Sequence, residues 1–444
     1  MRRHLICGQL FNGLQGTAAA DHTMVIDDDR ITYVGPSTDA PTPGTGDEVV
    51  DYASDFVMPG LIDIHVHLSY GNAQANEDID MYAPPEFRAL RALSAAQKVL
   101  KSGYTSIADP ASTGRCSAAV RDAINAGLFY GPRITAAGRQ ITARQGLGDW
   151  YPSWIGVPES SIGVLVRNLD EAIDEIRLQV KDRIDFVKFT VDGLHRNSDG
   201  ELMACFNQAE LDAMVAECHR LGRKVITHAR GREAVLYSAK AGVDIIFHAF
   251  EMDDACLEAV VKSGATLSPA FTFLINTHEF TQPSDPCHKW RPNMNRRDVE
   301  QACEMLIEAR KAGVPFMVGS DTGFAVTPYG EWHARELDIM VDYLGFTPAE
   351  TLTCTTSVNA KLLREGDAVG QLAPGAYADI TVVGANPLDD VTVLQKRGMI
   401  KDVYLGGERI DLEPSADAAP FAWEHSFRQW NDVYTRDRVA ELVH

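Results

Sequence analysis

From Leu61 onward, short apolar runs alternate with longer segments of helical period. Eight runs have the length of a strand: LIDIHVHL (61–68), TSIADP (105–110), RITAAG (133–138), DFVKFTV (185–191), KVITHA (224–229), DIIFHAF (244–250), TLSPAF (266–271) and PFMVGSD (315–321). Helical segments lie between them. Two of these, PEFRALRALSAAQKVLKSG and NQAELDAMVAECHRLG, end in glycine, as a helix stop should. Eight β/α units over roughly 260–300 residues predict a (β/α)8 TIM barrel. A doubly wound sheet is the competing architecture, but no G-x-G-x-x-G or P-loop supports it.

The two ends of the chain carry a different pattern. Residues 1–57 read as short strands and turns (HLICGQLF, HTMVID, RITYVG, EVVDYASDFVM), and strand signals return after the barrel in VGQLAPGAYADITVVGANP and IKDVYLGGERI. The two ends are expected to pair, so that 1–57 and 368–412 form a small composite β-sandwich domain beside a barrel of residues 58–367. SADAAP (415–420) reads as a linker within a C-terminal helical tail, 413–444, whose aromatic residues would pack on this chain or on a neighbour.

Composition narrows the function. The 444 residues are 45% hydrophobic and 23% charged, as in an ordinary soluble enzyme. A formal charge of -21 excludes the basic stripe that nucleic-acid binding requires. No stretch of about 18 apolar residues suggests a membrane span, and MRRHLICGQLFNG is too short in its apolar run for a signal peptide. The eight cysteines are scattered with no C-x-x-C pair, which reads as reduced thiols in a cytoplasmic protein. The expected partners are a small-molecule substrate and further copies of the chain, with neither nucleic acid nor membrane.

In a TIM barrel, chemistry sits at the C-terminal ends of the strands. Those positions hold His65 and His67, Lys188, His228, His248 and Asp321. On an alternating strand, Asp63, His65 and His67 would share one face and Ile62, Ile64, Val66 and Leu68 the other. An ammonium flanked by Val187 and Phe189 is costly to bury unless it is paired. Two divalent ions would account for all six residues at once. Four neutral imidazoles, Asp321, a bridging hydroxide and a carboxylated Lys188 would leave the site near plus one, which is still Lewis-acidic. Histidine and carboxylate donors suit Zn2+, with Co2+, Mn2+ or Ni2+ as substitutes.

The combination PGLIDIHVHL, FVKFTVDG, ITHARG, IFHAFEMDD and VGSDTG, closed by VGQLAPGAYADITVVGANPLDD, resembles the amidohydrolase superfamily. More narrowly, it resembles the imidazolonepropionase-like and prolidase-like branch, over about residues 5–412. RQGLGDWYPSWIGVPESSIG is similar to members of that branch that hydrolyse carbamate and phenylurea herbicides. The resemblance implies that His65, His67 and Asp321 hold one metal, that His228 and His248 hold the second, and that carboxylated Lys188 bridges them. Prolidase-like relatives usually show a Gly/His-rich loop where this chain has ARQGLGD, which counts against a dipeptidase.

The expected reaction is hydrolysis of an amide, carbamate or urea C–N bond by a metal-bridging hydroxide. Asp321 would take the proton of the attacking water and pass it to the leaving nitrogen. Arg144, Trp150, Arg230 and His278 are candidate substrate contacts. An Xaa-Pro dipeptidase or N-acyl amino acid hydrolase is the alternative. A deaminase would carry His-x-x-Glu after strand five, where this chain has Gly231 in place of the glutamate. A non-catalytic scaffold would not retain all six residues. The other histidines, His333 among them, read as ordinary.

Overall fold

The computed structural model describes residues 2–287, 296–415 and 429–442. Residues 416–420 of the expected linker, 421–428 of the expected tail, and His288, His425 and His444 lie outside them.

Strands from both chain ends share one seven-stranded sheet. Its order is Glu408–Arg409, Ile400–Leu405, Ile380–Val383, Glu48–Pro59, Arg2–Phe11, Ala18–Asp27, Arg30–Pro36. Glu48–Pro59 joins the two ends. It runs parallel to Arg2–Phe11 on one side and antiparallel to Ile380–Val383 on the other. One face of this sheet buries Leu5, Met24, Ile26, Val57, Ile380 and Val382 in a core of its own.

The β/α region forms two all-parallel sheets. Leu61–Asp63, Tyr104–Asp109 and Arg133–Ala136 make one. The other runs in the order Thr266–Ser268, Ile245–His248, Lys224–Ala229, Phe186–Thr190, Gln140–Thr142, Gly163–Leu165. Backbone hydrogen bonds tie the sheets together at both margins. On one side the Asp185 N–H donates to Ala136 O at 2.8 Å. On the other, the extended segment 315–322 lies between them: Met317 N–H donates to Leu267 O (2.9 Å), and Ile64 N–H donates to Val318 O (3.2 Å). Ile62, Ile64, Phe186, Ile226, Phe247 and Met317, from five of the expected strands, pack into one buried cluster.

Two expected strands are broken by side chains. The PFMVGSD run makes no continuous ladder, because the Val318 N–H goes to Asn359 Oδ1 at 3.0 Å. In the LIDIHVHL run, the His65 and Leu68 N–H groups go to the carboxylates of Asp63 and Asp109 (2.9 and 3.1 Å). The expected two-faced alternation fails there. Ile62 and Ile64 belong to one core cluster, and Val66 and Leu68 belong to another.

Helix Pro348–Thr353 opens with a capping box, Thr347 with Glu350, and continues into a wider turn at Cys354–Val358. That turn and the residue after it present Thr355 and Asn359 to the Ile62 carbonyl (2.9 and 2.7 Å), bracing the first strand.

The tail packs on this chain. Trp430 and Tyr434 are buried with Phe280, Ala325, Val326 and Trp332. Gln429 N–H donates to Gln74 O (2.6 Å), and Tyr434 N–H donates to Ala325 O (2.9 Å). These bonds tie the tail to the loops after the first and eighth runs. Only Arg436–Leu442 is helical among its described residues.

A buried indole of this kind carries large packing energy. Trp430→Ala should lower the unfolding free energy in chemical denaturation by about 3–5 kcal/mol. Trp154, 85% exposed, serves as the control, and its alanine variant should shift stability by less than about 0.5 kcal/mol.

Candidate metal centre

All six expected ligand residues converge at the C-terminal ends of the parallel runs. His65 Nε2 and His67 Nε2 lie 3.3 and 3.1 Å from Asp321 Oδ1. The His248 ring centroid is 5.5 Å from that of His65 and 4.5 Å from that of His228. Donor atoms of His65, His248 and Asp321 all fall within 4.8 Å of one another, a spacing at which one ion can be held. Lys188 Nζ sits 3.9 Å from the centroid of the Phe247 ring, which also stacks on His65 at 4.1 Å.

Burial sets the electrostatics. Lys188 is buried, and its Nζ has no hydrogen-bond partner. Desolvation drives its pKa well below that of an ordinary lysine, and the opposing pull of Asp321 is smaller. His65 and His228 are pushed well below the usual imidazole value, and His248 to about 3. Desolvation leads in each; positive neighbours add to it, and at His248 the attraction of Asp321 opposes it. Burial alone would raise Asp321, but the His67 hydrogen bond and the charges of His67, His248 and Lys188 outweigh it and hold it below the usual carboxylate range. The shifts favour neutral imidazoles at His65, His228 and His248, a neutral amine at Lys188 and a carboxylate at Asp321. These are lone-pair donors of the kind that fit divalent cations.

Two of the six positions are strained. Asp321 has φ 55° and His248 has φ 77°. Non-glycine residues in the left-handed region cost roughly 1–2 kcal/mol each, so the surroundings must hold them there. Much of that hold comes from residues the motifs did not mark. Asp63 accepts from the His65 and Ser320 N–H groups (2.9 and 3.1 Å) and from the Ser320 hydroxyl (2.5 Å). Its other partner is His333 Nδ1, at 2.8 Å. Asp63 thus ties the first run to the residue before Asp321, and it does not share the histidines' direction as alternation predicted. His333 completes this network, although its sequence context, EWHARE, gives no signal. Asp109 accepts from the N–H groups of Leu68 and Ala111 and from the Ser117 hydroxyl. Asp192 is wholly buried beside His228.

The four expected substrate contacts separate in space. Arg230 is half-buried and donates to Gly193 O at 2.5 Å, while its Nε has no partner. Trp150 donates to Asp80 Oδ2 at 2.7 Å and packs on the cluster of Tyr70 and Ile79. Tyr70 in turn stacks on His67 at 4.2 Å. Arg144 is exposed and lines a cavity of about 440 Å³ shared with Arg167, Cys205 and Glu210, among whose walls none of the six ligand residues appears. His278 is exposed on helix Thr272–Phe280. The aromatic rings nearest the ligands include Tyr70, Phe324 and Phe250. Of the aromatic residues in the loops, Phe280 and Trp332 pack under the tail.

No disulfide joins any of the eight cysteines among the described residues, and no described helix is long and apolar enough to cross a membrane.

The model of the Amidohydrolase family matches residues 56–410. Ochratoxinase of Aspergillus niger is 28% identical over 426 residues, covering 91% of this chain and 85% of its own. Imidazolonepropionase of Chromobacterium violaceum is 24% identical, covering 84% and 87%. A solved Xaa-Pro dipeptidase with methionine bound in its active site superposes with a TM-score of 0.80 at 27% identity, covering 93% of this chain and all of that one. With the six residues gathered as described, these matches establish that the chain belongs to the amidohydrolase family, in its imidazolonepropionase-like and prolidase-like branch, and is an enzyme that hydrolyses carbon–nitrogen bonds.

Proposed function

We propose that this chain is a binuclear metal-dependent hydrolase of an amide, carbamate or urea, built on a closed (β/α)8 barrel with the seven-stranded sheet as its composite β-domain. The observation that carries this reading is the buried, unpartnered Lys188 amine among four imidazoles and Asp321. Left uncharged by desolvation, the amine can add to CO2, forming a carbamate and releasing one proton. That converts an orphaned donor into a two-oxygen bridging ligand. His65, His67 and Asp321 would then hold one ion and His228 and His248 the other, with zinc the metal best suited to the donors.

When bound, divalent ions lower the pKa of water towards neutrality and polarise the substrate carbonyl. The chain's own residues do the rest. Asp321 Oδ1 faces the two imidazoles, so Oδ2 is the oxygen left to accept the water's proton and return it to the leaving nitrogen. An amine leaves poorly unless protonated, so a carboxylate beside the nucleophile serves both halves of the reaction. Burial of the site excludes bulk water from these transfers. The aromatic surroundings of the histidines, Tyr70, Phe324 and Phe250, suit an apolar or aryl substrate.

A second reading, an Xaa-Pro dipeptidase or N-acyl amino acid hydrolase, is favoured by one feature. Arg230 keeps its Nε unpaired beside the site, where a free carboxylate could be received. Likeness to the Xaa-Pro dipeptidase points the same way. A panel of aryl carbamates, phenylureas, N-acyl amino acids and dipeptides, run with zinc-loaded protein, decides between them. The expected result is a higher kcat/KM on aryl or N-alkyl carbamoyl substrates. A tenfold preference for dipeptides that disappears in Arg230→Met would establish the second reading, and hydrolysis of no member would refute both.

Two variants test the chemistry. Lys188→Ala should bind clearly fewer than two metal ions per chain by elemental analysis and lose most turnover, with partial rescue by added short-chain carboxylates. Wild-type content near one ion, unchanged in the variant, rules out the bridge. Asp321→Asn, once its metal occupancy has been checked, should lower kcat far more than it raises KM. Near-normal turnover by a fully loaded variant removes Asp321 as the proton carrier.

A further inference from the structure

Among the ligand histidines, His228 is oriented differently from the rest. His67 and His248 point Nδ1 at backbone carbonyls, Ala111 O and Pro269 O, each at 3.3 Å. Their Nε2 atoms are thereby left for the centre, and His65 likewise faces Asp321 through Nε2. His228 instead turns Nε2 away, towards Asp192 Oδ1 at 3.4 Å.

Asp192 is placed for this contact by the backbone around it. It opens the strand Asp192–Arg196, just after the strand that carries Lys188. Its Oδ2 accepts the N–H groups of Arg230 and Gly231, both at 2.7 Å, and so locks the carboxylate to the chain immediately after His228. Its Oδ1 has no hydrogen bond, and neither has His228 Nε2, although both are buried. The gap lies within ~0.5 Å of the N–H···O range. Two orphaned atoms that face each other satisfy each other by a small ring rotation, and neither has another partner to lose.

From this geometry we propose that Asp192 is the positioning residue of His228, holding its proton on Nε2 so that Nδ1 is the lone pair offered to a metal ion. A carboxylate can only accept, and a neutral imidazole has one donor and one acceptor nitrogen. The partner of Nε2 therefore dictates the state of Nδ1. Gly231 belongs to the same device. A Cβ there would lie 2.6 Å from the Leu202 side chain and 3.5 Å from Asp192 Oδ2. Glycine lets the backbone come close enough for its N–H to reach the carboxylate. The proposal rests on the metal-centre reading above, but it concerns a residue which that reading leaves without a role.

The test has two arms. In wild-type protein labelled with 15N-histidine and stripped of metal, the His228 ring, assigned by its loss in His228→Gln, should show the Nε2–H tautomer by NMR. An Nδ1–H tautomer overturns the proposal, and this arm needs no variant of Asp192 to fold. In the second arm, zinc affinity is measured by chelator competition. Asp192→Asn places an amide where only an acceptor serves, and it should weaken one zinc site by about 10–100-fold while the other is unchanged. His228→Ala, which removes the donor itself, should weaken the same site at least as much, with the double variant no weaker than His228→Ala alone. Wild-type affinity at both sites in Asp192→Asn, or additive losses in the double variant, would overturn the assignment. Should wild-type protein bind no zinc, the metal-centre reading fails, while the tautomer still decides the role of Asp192.

Discussion

Desolvation is the constraint around which this protein is organised. Four imidazoles, a lysine amine and a carboxylate are withdrawn from water within a few ångströms of one another. Their charged forms cannot all persist there, because the penalty for an isolated buried charge exceeds what any single contact returns. His65, His228, His248 and Lys188 respond by favouring their neutral forms, and that is the state in which such groups can bind cations. A cluster that is poor as a stabilising core therefore keeps lone pairs that a cation could use. The apolar cluster of Ile62, Ile64, Phe186, Ile226, Phe247 and Met317 shares Phe247 with it, since that ring touches both His65 and Lys188.

Holding such a cluster needs more than a β-ladder. At the first and last runs, side chains replace backbone partners: Asp63, Asp109 and Asn359 take N–H groups that a regular sheet would have paired internally. Each substitution frees the chain from the pleat and lets it turn. That freedom is what carries Asp321 into a left-handed conformation and brings both His65 and His67 to the same carboxylate oxygen. Asp63 is central, since one carboxylate joins His65, Ser320 and His333 across the seam between the two sheets. The irregularity at this seam is thus the means by which residues from opposite ends of the β/α region meet.

This division explains what could be read from the sequence. The clustering of these six residues is legible because a histidine, lysine or aspartate at the end of an apolar run conflicts with its surroundings, and six such conflicts recur at the β/α period. The pairing of the chain ends into one sheet is legible for the same reason, since strand signals outside the β/α region have only each other as partners. Asp63 and His333 were not recovered, because a lone polar residue in a loop or short strand looks the same whether it braces a site or meets solvent. Continuous strands were expected for LIDIHVHL and PFMVGSD since apolar alternation reports burial, not which atom receives each N–H. His278 and Arg144 were selected by their place in loops. The structure leaves both exposed, Arg144 on a cavity that none of the six ligand residues lines.

The tail follows from the same economy. A face made of loops must still bury its apolar rings, and loops have little backbone pairing with which to do so. Here the chain returns after the seven-stranded sheet and seats Trp430 against Phe273 and Phe324. Phe324 packs edge-on to Tyr70, and Tyr70 stacks on His67. An unbroken line of aromatic contacts therefore runs from the C-terminal segment to His67, one of the six clustered residues. Rings in such a line pack in few geometries, so a displacement at Trp430 must be absorbed by Phe324 and Tyr70 before it reaches His67. The tail is in this sense part of the site's wall, with the loops after the first and eighth runs held between it and the ligands.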